Sequence, residues 1–468
     1  MPLPANFITS VQSLLGEETD SFLAALAEDA PVSIRLNPAK GRCNPMAFSE
    51  SVEAVPWSQW GYYLADRPAF TFDPLFHAGY YYVQEASSMF VEHAVRQLVT
   101  EPVVCLDVSA APGGKSLGLL SALPEGSLLV SNEIVRSRAN VLAETMTKFG
   151  NPNSIVTNNA PKDFAAFPHF FDLILVDAPC SGEGMFRKDD VAVQEWSPQN
   201  VQMCALRQQD IVRDAWPSLK PGGLLIYSTC TYNTLENEEN VQWIAHELGA
   251  EFVKVRVEAK WSISPSAHRD AVGYRFFPHK TRGEGLFVCV LRKTSDEELP
   301  MESPKRKSKN NLSSFLKDTS PYNNYLKHPG DFDFMEDDNR VFAFPKAHSQ
   351  PMLLLRDRLK VVAAGIELGR WKGKDFIPSQ SLAMSVQLNT EAFPRYAVLY
   401  EQAVAYLRSE AIVLAGAPKG FVLLTFLNEP IGFVKNIGNR ANNLYPQEWR
   451  IRSGYLPENR PCFLDEAK

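Results

Sequence analysis

The sequence predicts an α/β protein. A doubly wound, mainly parallel sheet is expected, with a small α+β domain before it and a further region after it. Three observations carry this expectation. Between residues 103 and 294, short apolar runs alternate with helical patterns, as in strands joined by crossover helices. The first run passes through Ser109-Ala110-Ala111-Pro112-Gly113-Gly114-Lys115 into a helix patterned by Leu117, Leu119, Leu120 and Leu123, which reads as strand, tight turn, helix. The composition also shifts on both sides, aromatic before and polar after. The implied divisions are 1–83, 84–294, a polar linker or insertion over 295–340, and 341–468.

At 468 residues the chain has room for two to four domains of roughly 150 residues. It is 45% apolar and 22% charged, an ordinary globular composition. No stretch approaches the ~20 apolar residues of a membrane span. Met1-Pro2-Leu3-Pro4-Ala5-Asn6 lacks the features of a secretory signal. The seven cysteines are odd in number and include no C-x-x-C. That argues against a disulfide framework and a zinc ribbon, so no metal is expected and a reducing cytoplasm is the natural setting. A net charge of -7 argues against a protein that coats nucleic acid non-specifically. An RNA enzyme with a local basic surface stays open.

The elements follow in order. Phe7, Ile8, Val11, Leu14 and Leu15, then Phe22, Leu23 and Leu26, mark two amphipathic helices. Ser33 to Pro38 alternates like a strand ended by proline. Residues 55–82 hold Trp57, Trp60, Tyr62, Tyr63, Phe70, Phe72, Phe76, Tyr80, Tyr81 and Tyr82. Most are expected in a core and its seam with the next domain; stacking on unpaired bases is the alternative. Residues 84–99 suggest a helix. Strands are expected over 103–108, 127–132, 154–157, 172–177, 223–229 and 286–292.

After the polar stretch, whose Lys305, Arg306, Lys307 and Lys309 are expected to be solvated, globular patterning resumes. A helix is expected over 391–408. A hairpin or small barrel is expected around Asn428-Glu429-Pro430. Lys435, Arg440, Arg450 and Arg452 beside Tyr445 and Trp449 suit RNA and an ordinary basic surface equally. This region is expected to grip RNA on its own, so that its loss leaves cofactor binding intact.

Ligands of open α/β sheets bind at the carboxyl ends of strands, beside helix N-termini. Gly113 and Gly114 let a ligand approach the backbone closely. A nucleotide phosphate is one fit, but the P-loop needs glycine where Ser109 stands. S-adenosylmethionine is the other. Two further strands bring chemistry to the same edge. One ends in Asp177-Ala178-Pro179-Cys180-Ser181-Gly182-Glu183-Gly184, the other in Ser228-Thr229-Cys230-Thr231. Glu236, Glu238, Glu239 and Asn240 then open a helix, where acids suit the dipole. Cys105, Cys204 and Cys289 read as small buried hydrophobes.

Two thiols and an acid suit methylation of cytosine C5. A thiolate adds to C6 and makes C5 nucleophilic; a base later removes the C5 proton so that the thiolate can leave. Asp177 can hold the exocyclic amine and N3. Either cysteine can be the attacking one. Rival classes are an NTPase built on Gly114-Lys115-Ser116 and a catalytically idle RNA-binding assembly factor. The missing glycine counts against the first, the retained thiol pair against the second.

These three motifs resemble the signatures of the Sun/Nop family of RNA (cytosine-5)-methyltransferases, over about Gln84 to Lys293. The flanks resemble its bacterial RsmF type, which acts on small-subunit rRNA. Gly432-Phe433-Val434-Lys435 with Leu444-Tyr445-Pro446 is similar to the PUA-like RNA-binding module of that type. The resemblance implies a Rossmann-like S-adenosylmethionine methyltransferase acting in the cytoplasm on RNA, small-subunit rRNA first and tRNA as the alternative. It makes Cys230 the nucleophile and Cys180 the residue that assists proton removal or enzyme release. Ser109, Ala110, Ala111, Pro112, Gly113, Gly114 and Lys115 would line the methionine end of the cofactor. Glu133 would bind its ribose, and Asp177 would sit between cofactor and base. Two departures stand out. Ser109 replaces a cysteine common in the family. Asn158-Asn159-Ala160 replaces the adenine-side acid, with Asn159 the substitute.

Overall fold

The apolar runs pair into one ten-stranded sheet at the centre of the computed structural model, which describes residues 2–40, 52–294 and 315–455. Its principal strands are β1 (Val104–Asp107), β2 (Leu128–Asn132), β3 (Ser154–Thr157), β4 (Phe171–Asp177), β5 (Leu219–Thr229), β6 (Leu286–Lys293) and β7 (Val361–Ala364). The order is β7-β3-β2-β1-β4-β5-β6, with short strands beyond β6. From β3 to β5 all pairs are parallel; β6 and β7 run antiparallel to their neighbours. Chain order reverses between β1 and β4, and a crevice opens at such a switch point.

The strands read as nearly continuous apolar runs because both faces are covered. In β4, Leu173 and Leu175 join one core, while Ile174 and Val176 join the other. The first core is roofed by helices Phe90–Leu98, Gly114–Ala122 and Arg136–Phe149, the second by Pro198–Ala215 and Glu238–Glu247.

The N-terminal segment holds helices Ala5–Leu15 and Thr19–Leu26 and a four-stranded sheet that includes Val32–Leu36 and Gly61–Leu64. Its aromatics are core and seam, as expected. Trp57, Tyr63, Phe70, Phe72 and Tyr81 are buried. Trp57 Nε1 donates to the Ala86 carbonyl at 2.7 Å, and the Tyr63 hydroxyl to that of Arg282 at 2.7 Å. Arg35 crosses the same seam to Glu92, Nε to Oε2 3.2 Å, with both side chains at most 1% exposed.

Three expectations change beyond β6. The polar linker does not extend to residue 340: Tyr322, Leu326, Phe332 and Phe334 are buried, and Phe332–Asp337 pairs with Arg340–Pro345. Acids placed among the apolar positions had hidden a strand. Lys305, Arg306, Lys307 and Lys309 lie outside the described residues, as do Cys43 and Cys462. The helix over 391–408 is strand Arg395–Ala397 followed by helix Tyr400–Leu407, because Pro394 disfavours helix at its neighbour and the strand pairs with Leu423–Thr425. The hairpin of Gly420–Phe426 and Glu429–Asn436 turns at Leu427 and Asn428, with φ of 52° and 68°, the two-residue turn that matches strand twist. Third, β7 comes from the C-terminal region, yet it is an edge strand of the central sheet. Among the described residues no helix is long and apolar enough to cross a membrane.

Glu92 Oε2 also accepts from Ser58 Oγ and Oε1 from Arg96 Nε, both at 3.1 Å, while neither terminal nitrogen of Arg35 has a partner. Glu92→Ala strands a buried guanidinium. It should destabilise the protein by about 3–5 kcal/mol in denaturant unfolding followed by tryptophan fluorescence; a loss under about 1 kcal/mol, the range of exposed pairs, would contradict this account.

Candidate active site

β4 and β5 are parallel neighbours that stop at Asp177 and Thr229. The loops beyond them carry Cys180 and Cys230, whose sulfurs lie 3.2 Å apart. Both thiols are partly buried and free. The Cys230 sulfur beside it, together with burial, pushes the Cys180 thiol well above the ordinary range, which favours its protonated form. Gly184 is required where these loops touch. Its N–H donates to the Cys230 carbonyl at 2.9 Å, and an added Cβ would stand 2.9 Å from that oxygen.

Two buried carboxylates hold the loops together. Glu236 accepts from Ser181 N at 3.0 Å and from Gln208 Nε2 and Asn233 Nδ2 at 2.7 Å. Glu183 accepts from the backbone of Tyr232 at 2.7 Å and Asn233 at 3.0 Å, and from Trp196 Nε1 at 3.0 Å. The helix expected to open at Glu236 begins at Glu238. Its first acid faces Arg275 in a buried ion pair, and Glu236 serves the cysteine loop. These are core contacts and not dipole compensation.

Residues 109–113 form the turn between β1 and helix Gly114–Ala122, which Gly114 and Lys115 open. Ala110 N donates to Asn132 O at 2.8 Å. Gly113 has φ 121°, and a Cβ there would meet Thr145 Cγ2 at 2.8 Å. Lys115 turns from the loop to Asp177, Nζ to Oδ2 2.9 Å, while Ser228 Oγ donates to Asp177 Oδ1 at 2.8 Å. Burial works against the Lys115 charge, but Asp177 outweighs it and lifts the amine above its usual range. Lys115 therefore joins the turn to the cysteine strands.

Glu133 stands just past β2, 2% exposed. Its Oε1 accepts from Val135 N at 2.8 Å, and Arg138 lies 3.5 Å from Oε2 while donating to Ala111 O at 2.8 Å. Asn159, past β3, is engaged at both ends of its amide. Oδ1 accepts from Lys360 N at 3.0 Å and Nδ2 reaches Asp163 at 3.3 Å.

Asp107 was not among the residues singled out from the sequence. It is fully buried at the end of β1; Oδ2 accepts from Ser116 Oγ at 2.6 Å and Oδ1 has no partner. Burial raises its carboxyl to about 7. An acid at the end of the strand before a glycine turn was the available signal. Asp107, Glu133 and Asp177 surround the turn with carboxylates. That donor set suits a ligand carrying ammonium, sulfonium and ribose hydroxyls; it repels a polyphosphate, and the lysine of the NTPase reading is committed to Asp177.

Family models match along the chain. Residues 3–86 match the N-terminal domain of 16S rRNA methyltransferase RsmF, and 98–292 match 16S rRNA methyltransferase RsmB/F. Residues 314–386 match the first C-terminal domain of RsmF rRNA methyltransferase, and 393–451 its PUA domain. The ribosomal RNA small subunit methyltransferase F of Pectobacterium carotovorum is 30% identical over 97% of this chain and 96% of its own. The chain belongs to the RsmF family.

Two solved structures from Pyrococcus horikoshii share the fold of this RsmF-family chain. A methyltransferase homologue is 25% identical, with TM-score 0.53 over 62% of this chain and 94% of its own. NSun6, solved with an S-adenosylmethionine analogue, is 20% identical, with TM-score 0.54 over 63% and 99%. S-adenosylmethionine is the cofactor of the family.

Several members of the C-terminal cluster are engaged within the protein. Tyr445 is buried, with its hydroxyl 3.4 Å from His77 Nδ1. Trp449 lies on Lys148, 5.5 Å from Nζ to ring centroid. Lys435 pairs with Asp375 and Arg450 donates to Gln447.

The raised Asp107 carboxyl gives a signed expectation. Its folded value lies above the ordinary 3.8, so ionisation costs the unliganded protein stability, absent at low pH and complete above about pH 7. A ligand that brings an ammonium group to the turn favours the ionised form. Affinity for S-adenosylhomocysteine should fall, with proton release on binding, as pH drops from about 8 to about 6. Asp107→Asn should flatten that dependence in calorimetry; an unchanged slope would remove Asp107 from the ligand's surroundings.

Proposed function

We propose that this member of the RsmF family, an S-adenosylmethionine-dependent small-subunit rRNA methyltransferase, methylates C5 of a cytidine through a transient bond from Cys230 to C6. Its place of action is the cytoplasm. The observation that carries the reading is the pair of sulfurs 3.2 Å apart beside Asp177 and Lys115.

Bound S-adenosylmethionine supplies an electrophilic methyl group on sulfonium. The chain's residues make C5 able to take it. Cys230, as thiolate, adds to C6; the C5=C6 double bond opens and its electrons move toward C5 and N3. Asp177 accepts from the exocyclic amine and from a protonated N3 and so favours ring protonation during attack, while the ion pair with Lys115 holds its carboxylate in place. After C5 is alkylated, its proton leaves to a base. The C6–S bond breaks, the double bond returns and Cys230 departs as thiolate. Cys180, held as a thiol, donates to that departing sulfur and so promotes release. Residues 109–115 hold the methionine end and Glu133 the ribose.

Two measurements test this. Glu133→Ala removes a charge-assisted hydrogen bond and should weaken S-adenosylhomocysteine by about 1.5–3 kcal/mol in calorimetry; unchanged affinity would displace the ribose from Glu133. Cys230→Ala should be inactive and form no adduct. Cys180→Ala should accumulate an RNA–protein adduct on denaturing electrophoresis when S-adenosylmethionine is present, and the double variant should lose it. An adduct in Cys230→Ala alone would reverse the roles; activity in both variants without adduct would end the covalent reading.

A further inference from the structure

β7 is the one strand of the central sheet, among the described residues, that comes from beyond residue 315. It pairs with β3 through Val361↔Thr157, Ala363↔Val156 and Ala364↔Ile155. Lys360, the residue before it, therefore lies at the carboxyl end of β3, on the ligand edge of the sheet.

The contacts there are dense. Asn158 N donates to Lys360 O at 2.9 Å, and Lys360 N donates to Asn159 Oδ1 at 3.0 Å. Asn158 Nδ2 donates to the carbonyls of Glu133 at 2.8 Å and Ile134 at 2.9 Å. Asn159 N donates to Asn132 Oδ1 at 3.0 Å, and Asn132 Nδ2 returns to Asn159 O at 3.0 Å and to Val108 O at 3.0 Å. An unbroken chain of hydrogen bonds runs from Lys360 through the two asparagines to the backbone of Glu133 and the end of β1. The Asn159 carbonyl oxygen accepts from Lys360 N and its Nδ2 reaches Asp163 at 3.3 Å, so both ends of the amide act on the rim.

We infer that Lys360 and the strand it begins are a positioning element for the cofactor: the C-terminal region completes the adenosine side of the site by fixing Asn158, Asn159 and, through them, Glu133. This rests on the assignment of Glu133 to the ribose. It runs against the expectation that the C-terminal region can be lost without effect on cofactor binding, because a sheet ending at β3 leaves Asn158 N and Asn159 Oδ1 without these partners.

Asn159→Ala and Lys360→Pro remove the same hydrogen bond, one its acceptor and the other its donor. In the full-length chain each should raise the dissociation constant of S-adenosylhomocysteine and the KM for S-adenosylmethionine about five- to tenfold. The KM for RNA and kcat at saturating cofactor should hold. The double variant should lose less than the sum of the two single ones, since both changes remove the Lys360–Asn159 bond, although Asn159→Ala also loses the Nδ2 contact to Asp163 and Lys360→Pro the Nζ contact to Asn158 Oδ1, and Lys360→Arg, which keeps the backbone donor, should bind as the parent does. If Lys360→Pro does not fold, Asn159→Ala carries the test. Binding within twofold of the parent in the folded variants, while Glu133→Ala binds weakly, overturns the positioning role alone. Unchanged binding in Glu133→Ala overturns the ribose assignment and this inference with it.

Discussion

The site depends on two carboxylates that never meet solvent. Glu183 and Glu236 are at most 1% exposed, and burying such charges is costly unless every lone pair is met. Here they are met by the loops that carry the cysteines. The Cys180 loop supplies Ser181 to Glu236, and the Cys230 loop supplies Tyr232 and Asn233 to Glu183 and Asn233 again to Glu236. Each acid thus needs both loops, and the loops are held close enough for the two sulfurs to touch. Neither strand alone could place a thiol so closely against another.

The same logic extends outward. Arg187, just past the Cys180 loop, donates to the carbonyls of Gly283, Glu28 and Asp29, so the N-terminal segment is tied to the wall of the crevice. Lys115 ties the cofactor turn to Asp177, and Arg138 ties Ala111 to Glu133. The side chains that span modules are mostly cations reaching backbone carbonyls or single acids.

The sheet and the cysteine strands were legible in the sequence because both-face burial writes itself as unbroken apolar runs. The N-terminal aromatics were legible for a similar reason, since so many large rings in 28 residues need an interior. What could not be read was long-range. β7, Val361-Val362-Ala363-Ala364, is short and mild, and only its pairing with β3 gives it a role. Asn159 stood out because its neighbours in the chain were visible, while its partner Lys360 was not. Tyr445 stood in a cluster that suited RNA and an ordinary surface equally, and the fold buries it with its hydroxyl near His77. Asp107 was in plain view, but its value lies in an oxygen left without a partner, which only coordinates reveal.

β7 also has a bearing on how the protein is made. A ribosome delivers the chain from its N-terminus, and domains tend to fold as they emerge. The strands through β6 are complete by residue 293, but β3 remains an open edge until residues near 364 have left the tunnel. Bare edges invite pairing with other chains. A nascent chain of this protein carries such an edge through more than a tenth of its synthesis, and the cofactor rim is braced only after the interval ends. A truncated product would be left with a bare edge and an unbraced rim, a natural target for chaperones and proteases.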